Sequence, residues 1–199
     1  MSLLKGSGSI QTVYDLEDGI RKITTTQNMV DYLKTQPQVA EIIEQRYIAP
    51  PPDIEVLLTY PPESLGYAYA YSIKQAGFDP NFYRKIDIKD DFEYILLRIR
   101  QTHDIWHIVT GFQTDFISEI QLKTFEIAQT RRVMAAILVI GSLFKALLIN
   151  PQQLDILLPR LATAYKMGTD AKPLLGQKWE EDWHKPLNQW REELNLPTI

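Results

Sequence analysis

The chain has 199 residues, 45% of them hydrophobic and 23% charged, with a formal net charge of -4. This is the composition of an ordinary globular protein rather than a disordered one, and an acidic chain without a basic patch interleaved with aromatics argues against nucleic acid as a partner. Cysteine is absent, which excludes disulfides and thiolate metal sites and leaves His, Asp and Glu as the available metal ligands.

The opening MSLLKGSGS is too short and too interrupted by Gly and Ser for a signal peptide, and it lacks the Arg-rich amphipathic character of a transit peptide. The expectation is a chain whose mature form starts near residue 1, with residues 1–9 disordered, in the cytoplasm of a bacterium. Helical spacing dominates from residue 26 onward. Thr26–Thr35 reads as a short amphipathic helix, and Gln36-Pro37 opens a second over VAEIIEQRY, with Pro in a first-turn position where its missing N–H costs nothing. APPPD at 49–53 forces an extended or turned linker, and Asp53 then caps a helix over IEVLLTY. Ser64 caps LGYAYAYSIKQA, which stops at Gly77.

Asp79-Pro80 predicts a turn or short helix over NFYR. A long helix follows from Asp90 to Thr110, with Phe92, Ile95, Leu96, Ile99 and Trp106 close to a 3.6-residue period. Gly111 reads as its C-cap, and Thr114 or Asp115 caps the next helix, to Thr130. Val133–Ile149 reads VMAAILVIGSLFKALLI, 17 residues interrupted by Lys145 and at the lower limit for a membrane span. A helix buried in the core is expected there; the alternatives are the wall of a cavity for a long apolar ligand or a contact with a bilayer. Asn150-Pro151 breaks this helix and starts QQLDILLPRLATAYKMG, which Gly168 is expected to close. The tail reads as two short helices split before Pro186. The fold class is all-α: a single-domain helical bundle over residues 1–199, with a long apolar helix and a metal-bearing helical hairpin.

The hairpin follows from HDIWHIVTGFQTDFISE, residues 103–119. His103 and His107 account for two of only three histidines and stand at i and i+4, on one face of a helix, where both rings can turn to one ion. Asp104 lies three residues before His107. On an unbroken helix Glu119 would be about 18 Å further along the axis than His107. A break at Gly111 and an antiparallel return from Thr114 would bring it back. Two imidazoles with one or two carboxylates suit zinc, and equally iron, manganese or cobalt. Asp104 serves as a fourth ligand or as a base. The plain alternative is that His103 and His107 are ordinary polar helix residues and that Asp104 and Glu119 belong to a solvated face. Zinc proteases place Glu where Asp104 stands, and HD-type phosphohydrolases need a histidine before their His-Asp pair, which this chain lacks.

His103, Asp104 and His107, followed by eleven residues and Glu119, resemble the signature of the Coq-four family of ubiquinone (coenzyme Q) biosynthesis proteins. SLGYAYAYSIKQAGFDP (64–80), DDFEYILLRIRQTHDIWHIVTGF and KWEEDWHKPLNQWREELNLP resemble it too, so the likeness covers roughly residues 25–197. The resemblance implies an all-helical protein with a divalent metal, usually zinc, on His103, Asp104, His107 and Glu119. It implies a peripheral protein of the inner membrane that binds long-chain isoprenoid or prenyl-quinone precursors and works beside other quinone-biosynthesis enzymes. Oxidative decarboxylation at ring carbon one is a further implied activity. An isoprenoid tail needs an apolar groove, for which Val133, Ala136, Ile137, Ile140, Leu143 and Phe144 are candidates, with Tyr67, Tyr71 and Phe78 as aromatic wall; core packing is the alternative for each. Arg84 and Arg98 are candidates for an anionic head group, a surface arginine being the commoner case. His184 is expected at the surface or in a satisfied core position, and Trp179, Trp183 and Trp190 as structural anchors or interface residues.

Three functions compete: a metal-dependent enzyme of prenyl-quinone synthesis with Asp104 as its catalytic carboxylate, a lipid-binding scaffold with a structural metal, and a metal-dependent hydrolase resting on HDxxH alone. A homodimer is compatible with each.

Overall fold

The structure is a computed structural model, and it describes residues 15–16, 19–21, 23–77 and 86–198. The expectations for residues 1–9, NFYR, Phe78 and Arg84 lie outside the described residues. Among the described residues the fold is helical throughout, with one isolated bridge between Ser64 and Pro186 and no strand. Contacts divide the chain into two compact units: Met1–Leu33 with Phe112–Ala171, and Lys34–Gly111 with Lys172–Ile199.

The helices are α1 (Thr24–Lys34), α2 (Pro37–Gln45), α3 (Ile54–Leu57), α4 (Leu65–Ala76), α5 (Asp91–Thr110), α6 (Phe116–Thr130), α7 (Val133–Ile149), α8 (Leu154–Asp170) and α9 (Leu187–Glu193). The predicted caps explain most of these bounds. Asp53 accepts from the amides of Glu55 and Val56, Ser64 from Tyr67, and Asp115 from Ile117 and Ser118. Asp90, expected as the first residue of the long helix, is instead its cap and accepts from Glu93. Gly77 and Gly111 end α4 and α5 in the left-handed region, at φ 62 and 75, where a glycine is free of Cβ strain. The helix expected over IEVLLTY is shorter than predicted, ending at Leu57. The first tail helix is only the 3-10 turn Trp179–Glu181.

In the first unit, α6 packs chiefly on α8 and then on α7. Its core joins Ile120, Val139, Ala146, Leu157 and Leu161. Gly168 does not close α8, which continues to Asp170. A Cβ on Gly168 would lie 2.8 Å from both the Ala128 Cβ and the Phe125 carbonyl oxygen, so this glycine lets α8 approach α6 closely. Nearby, the Gln129 amide donates to the carbonyls of Gly168 and Ala171. Helix α7 is not the buried core helix expected. Met134, Ala135, Val139, Ser142 and Ala146 are buried, while Ile140, Phe144, Leu147, Leu148 and Ile149 are exposed. Among the described residues no helix is long and apolar enough to cross a membrane.

In the second unit, α5 packs against α2, α4 and α9. Residues 63–66 and 183–187 are stitched by backbone bonds: Leu65 N–H to Lys185 at 3.0 Å, Gly66 N–H to Trp183 at 2.8 Å and Leu187 N–H to Glu63 at 2.8 Å. Trp179 and Trp190 are buried with ring centroids 4.7 Å apart, the anchor role expected of them, and Trp183 lies against Tyr69 at 5.1 Å. His184 is exposed.

Candidate metal centre

Helix α5 carries the first three residues of the signature. Its buried face includes Ile95, Ile99, Thr102, Ile105, Trp106 and Val109. The imidazoles of His103 and His107 meet along one side of the last two turns, with ring centroids 4.8 Å apart and planes at 84°. His107 is buried and His103 half-buried. The i,i+4 spacing sets the two imidazoles side by side.

Asp104 is half-buried on the same helix. Its influence reaches Tyr69 of α4: burial first, then the charges of Asp104 and Glu180, push the Tyr69 phenol up and keep it protonated. Sequence reading chose Tyr67 and Tyr71 and passed over Tyr69. The signal was available, since Leu65, Tyr69 and Ile73 recur at i, i+4 and i+8 and form the buried stripe of α4. Tyr67 and Tyr71 stack at 6.0 Å, with Tyr71 half exposed.

Glu119 belongs to the other unit. It lies in the first turn of α6, just after the Asp115 cap, with its own amide bonded to the Asp115 carbonyl at 2.9 Å. It is 4% exposed, which removes it from the solvated face that the plain reading gave it. Of the α7 candidates, Val133, Ala136, Ile137 and Leu143 are half-buried and Ile140 and Phe144 exposed, so none is locked inside the core.

Arg98 overturns its expectation as a surface residue. It is fully buried, its Nη1 and Nη2 donate to Glu180 at 2.6 and 2.8 Å, and Nη2 also donates to the Gln177 carbonyl at 2.8 Å. A bidentate buried pair of this kind fixes helix α5 rather than meeting a ligand head group.

The family model described as coenzyme Q (ubiquinone) biosynthesis protein Coq4 matches residues 12–199. The chain is 33% identical over 143 residues to the mitochondrial ubiquinone biosynthesis protein COQ4 of Uncinocarpus reesii, a match covering 70% of this chain and 50% of that protein. It is 30% identical over 171 residues to the mitochondrial COQ4 homolog of Rattus norvegicus, covering 83% and 63%. The chain thus spans about half to two thirds of the length of these relatives. A crystal structure from Nostoc punctiforme, of a protein provisionally assigned to ubiquinone biosynthesis, superposes with a TM-score of 0.88 at 30% identity, over 96% of this chain and 91% of that one.

Proposed function

Because the chain belongs to the coenzyme Q (ubiquinone) biosynthesis protein Coq4 family, we propose that it binds a prenylated quinone precursor together with a divalent metal ion. The observation that carries this reading is the pair of adjacent imidazoles at the end of α5, inside the region the family model matches. The donor chemistry fits a metal: two neutral imidazoles with carboxylates to offset the charge. His103, His107 and Glu119 would hold the ion, with Asp104 as a fourth ligand or as the base. On chain length alone, the short segment between the Gly111 cap and the Asp115 cap permits Glu119 to return toward the histidines. Zinc is the first choice of ion, and iron, manganese and cobalt suit the same donors. Bound there, the ion would act as a Lewis acid on an oxygen substituent of the aromatic ring.

The reaction assigned to this site is oxidative decarboxylation of a prenylated hydroxybenzoate. The ring carboxylate leaves as carbon dioxide, and a hydroxyl takes its place from one oxygen atom of an external oxidant and one proton. Asp104 would handle that proton, beside a Tyr69 phenol held protonated. The isoprenoid tail would lie along the half-buried side chains of α7, and the exposed apolar side chains of the same helix would meet a membrane surface. That exposed face favours a second reading, in which the protein presents lipid precursors to other quinone-biosynthesis enzymes and the metal is structural.

Elemental analysis of the purified protein beside His103→Ala and His107→Ala, with mass spectrometry of organic extracts from each, tests the site. Stoichiometric metal in the wild type, lost in both variants, and an isoprenoid in the extract are expected. A metal-free protein that still turns over a prenylated hydroxybenzoate would sink the metal-enzyme reading. Metal and lipid without turnover by the isolated protein would favour the scaffold.

A further inference from the structure

An α-helix leaves its last four carbonyls without intrahelical partners. In α5 these belong to His107, Ile108, Val109 and Thr110, the turn that ends the histidine pair. The His107 carbonyl accepts from the Gly111 amide at 2.9 Å. The next two are taken by one side chain from the far end of the sequence. Arg191 of α9 donates from Nη2 to the Ile108 carbonyl at 3.0 Å and from Nε to the Val109 carbonyl at 3.1 Å. Its Nη1 donates to Asn188 Oδ1 at 3.3 Å, which orients the guanidinium, and the residue is 7% exposed.

A cation here also faces the negative end of the helix dipole. The planar fork matters as much as the charge, because a lysine ammonium cannot serve two carbonyls with the same fixed geometry. The same C-terminal segment grips α5 on the other side of the histidines. Glu180 and the Gln177 carbonyl hold Arg98, five residues before His103. The HDxxH turns therefore lie between two guanidinium anchors, both completed by residues 177–191.

We propose that this segment sets the geometry of the histidine pair and that Arg191 is a positioning residue for metal binding; the inference rests on the metal reading above. Without the Arg191 fork the last turn of α5 frays, and His107 loses its fixed orientation against His103. Groups that orient metal ligands from outside the coordination sphere are worth about ten- to a hundredfold in affinity.

The test is a cobalt(II) titration of the metal-free full chain, followed by its visible ligand-field bands, with amide hydrogen exchange on the same samples. Wild type, Arg191→Gln and Arg191→Lys are compared. Arg191→Gln is expected to bind cobalt about tenfold more weakly, to show altered bands at saturation, and to exchange faster only across residues 104–111. Arg191→Lys, which keeps the charge without the fork, recovers part of the affinity, and it carries the test if Arg191→Gln does not fold. Wild-type affinity, bands and exchange in both variants would overturn the positioning role while leaving the metal site standing. Absence of cobalt uptake by the wild type would instead bring down the metal reading, and this inference with it.

Discussion

Glu126 is buried within the first unit, yet it holds two cations: Lys123 Nζ at 2.8 Å and Arg132 Nη1 at 2.7 Å. Burial alone would raise its carboxyl above the ordinary glutamate value of 4.5, but the charges and hydrogen bonds of Lys123 and Arg132 outweigh that and hold it at about 2. A depressed carboxyl stabilises the fold above its unfolded value and loses that contribution as pH falls toward the folded one. One such proton changes stability by at most about 1.4 kcal/mol per pH unit. Urea unfolding in steps from about pH 5 to about pH 2.5 should therefore show a steeper acid loss in wild type than in Glu126→Gln. The variant starts less stable, because the buried Arg132 and the partly buried Lys123 lose their counter-charge. Identical acid slopes would remove Glu126 from this role. Lys123 was legible as a partner, standing at i,i+3 on one helix. Arg98 and Glu180 were not, because 82 residues separate them and neither has a local pattern that announces a buried pair.

Helix ends were the most legible elements, since a cap is a local event: Asp53, Ser64, Asp115, Gly77 and Gly111 act within four residues of their own positions. Gly168 was misread for the complementary reason. A glycine near the end of an apolar stretch resembles a C-cap, but its cause here is the neighbouring helix, which sequence spacing does not display. Gly168→Ala puts a methyl group 2.8 Å from the Ala128 Cβ and the Phe125 carbonyl oxygen, both on a packed helix that cannot give cheaply. Such overpacking outweighs the helix propensity gained from alanine and should destabilise by about 1–3 kcal/mol. Thermal or urea unfolding measures this. A variant as stable as wild type would show that α8 can slide on α6. The histidine pair was legible because it sits on one helix; Arg191, which holds the end of that helix, reaches it from 82 or more residues away.

For the molecule as a whole, the apolar side chains left outside the core matter most. Ile140, Phe144, Leu147 and Leu148 of α7 stand at i, i+4, i+7 and i+8, a single helical stripe, and all are exposed. Ile156 and Leu158 of α8 are exposed as well. Single exposed leucines are common on any surface, but a stripe on one helix marks a surface that meets something. Hydropathy made α7 legible as apolar; it did not say which of its sides is covered, because both carry the same residue types. The proposed occupant is a lipid surface, and it predicts that the purified chain sediments with phosphatidylcholine vesicles. Replacing Phe144 and Leu148 by Gln removes two side chains that would each gain about 1.5–3 kcal/mol on full burial, so partitioning should fall at least about tenfold even if insertion is shallow. Neither residue belongs to the buried core of the unit, so the double variant should melt like wild type. Undiminished vesicle binding would move the membrane contact elsewhere. A wild type that ignores vesicles but sediments as a dimer, with the double variant a monomer, would make this stripe an interface between copies of the chain.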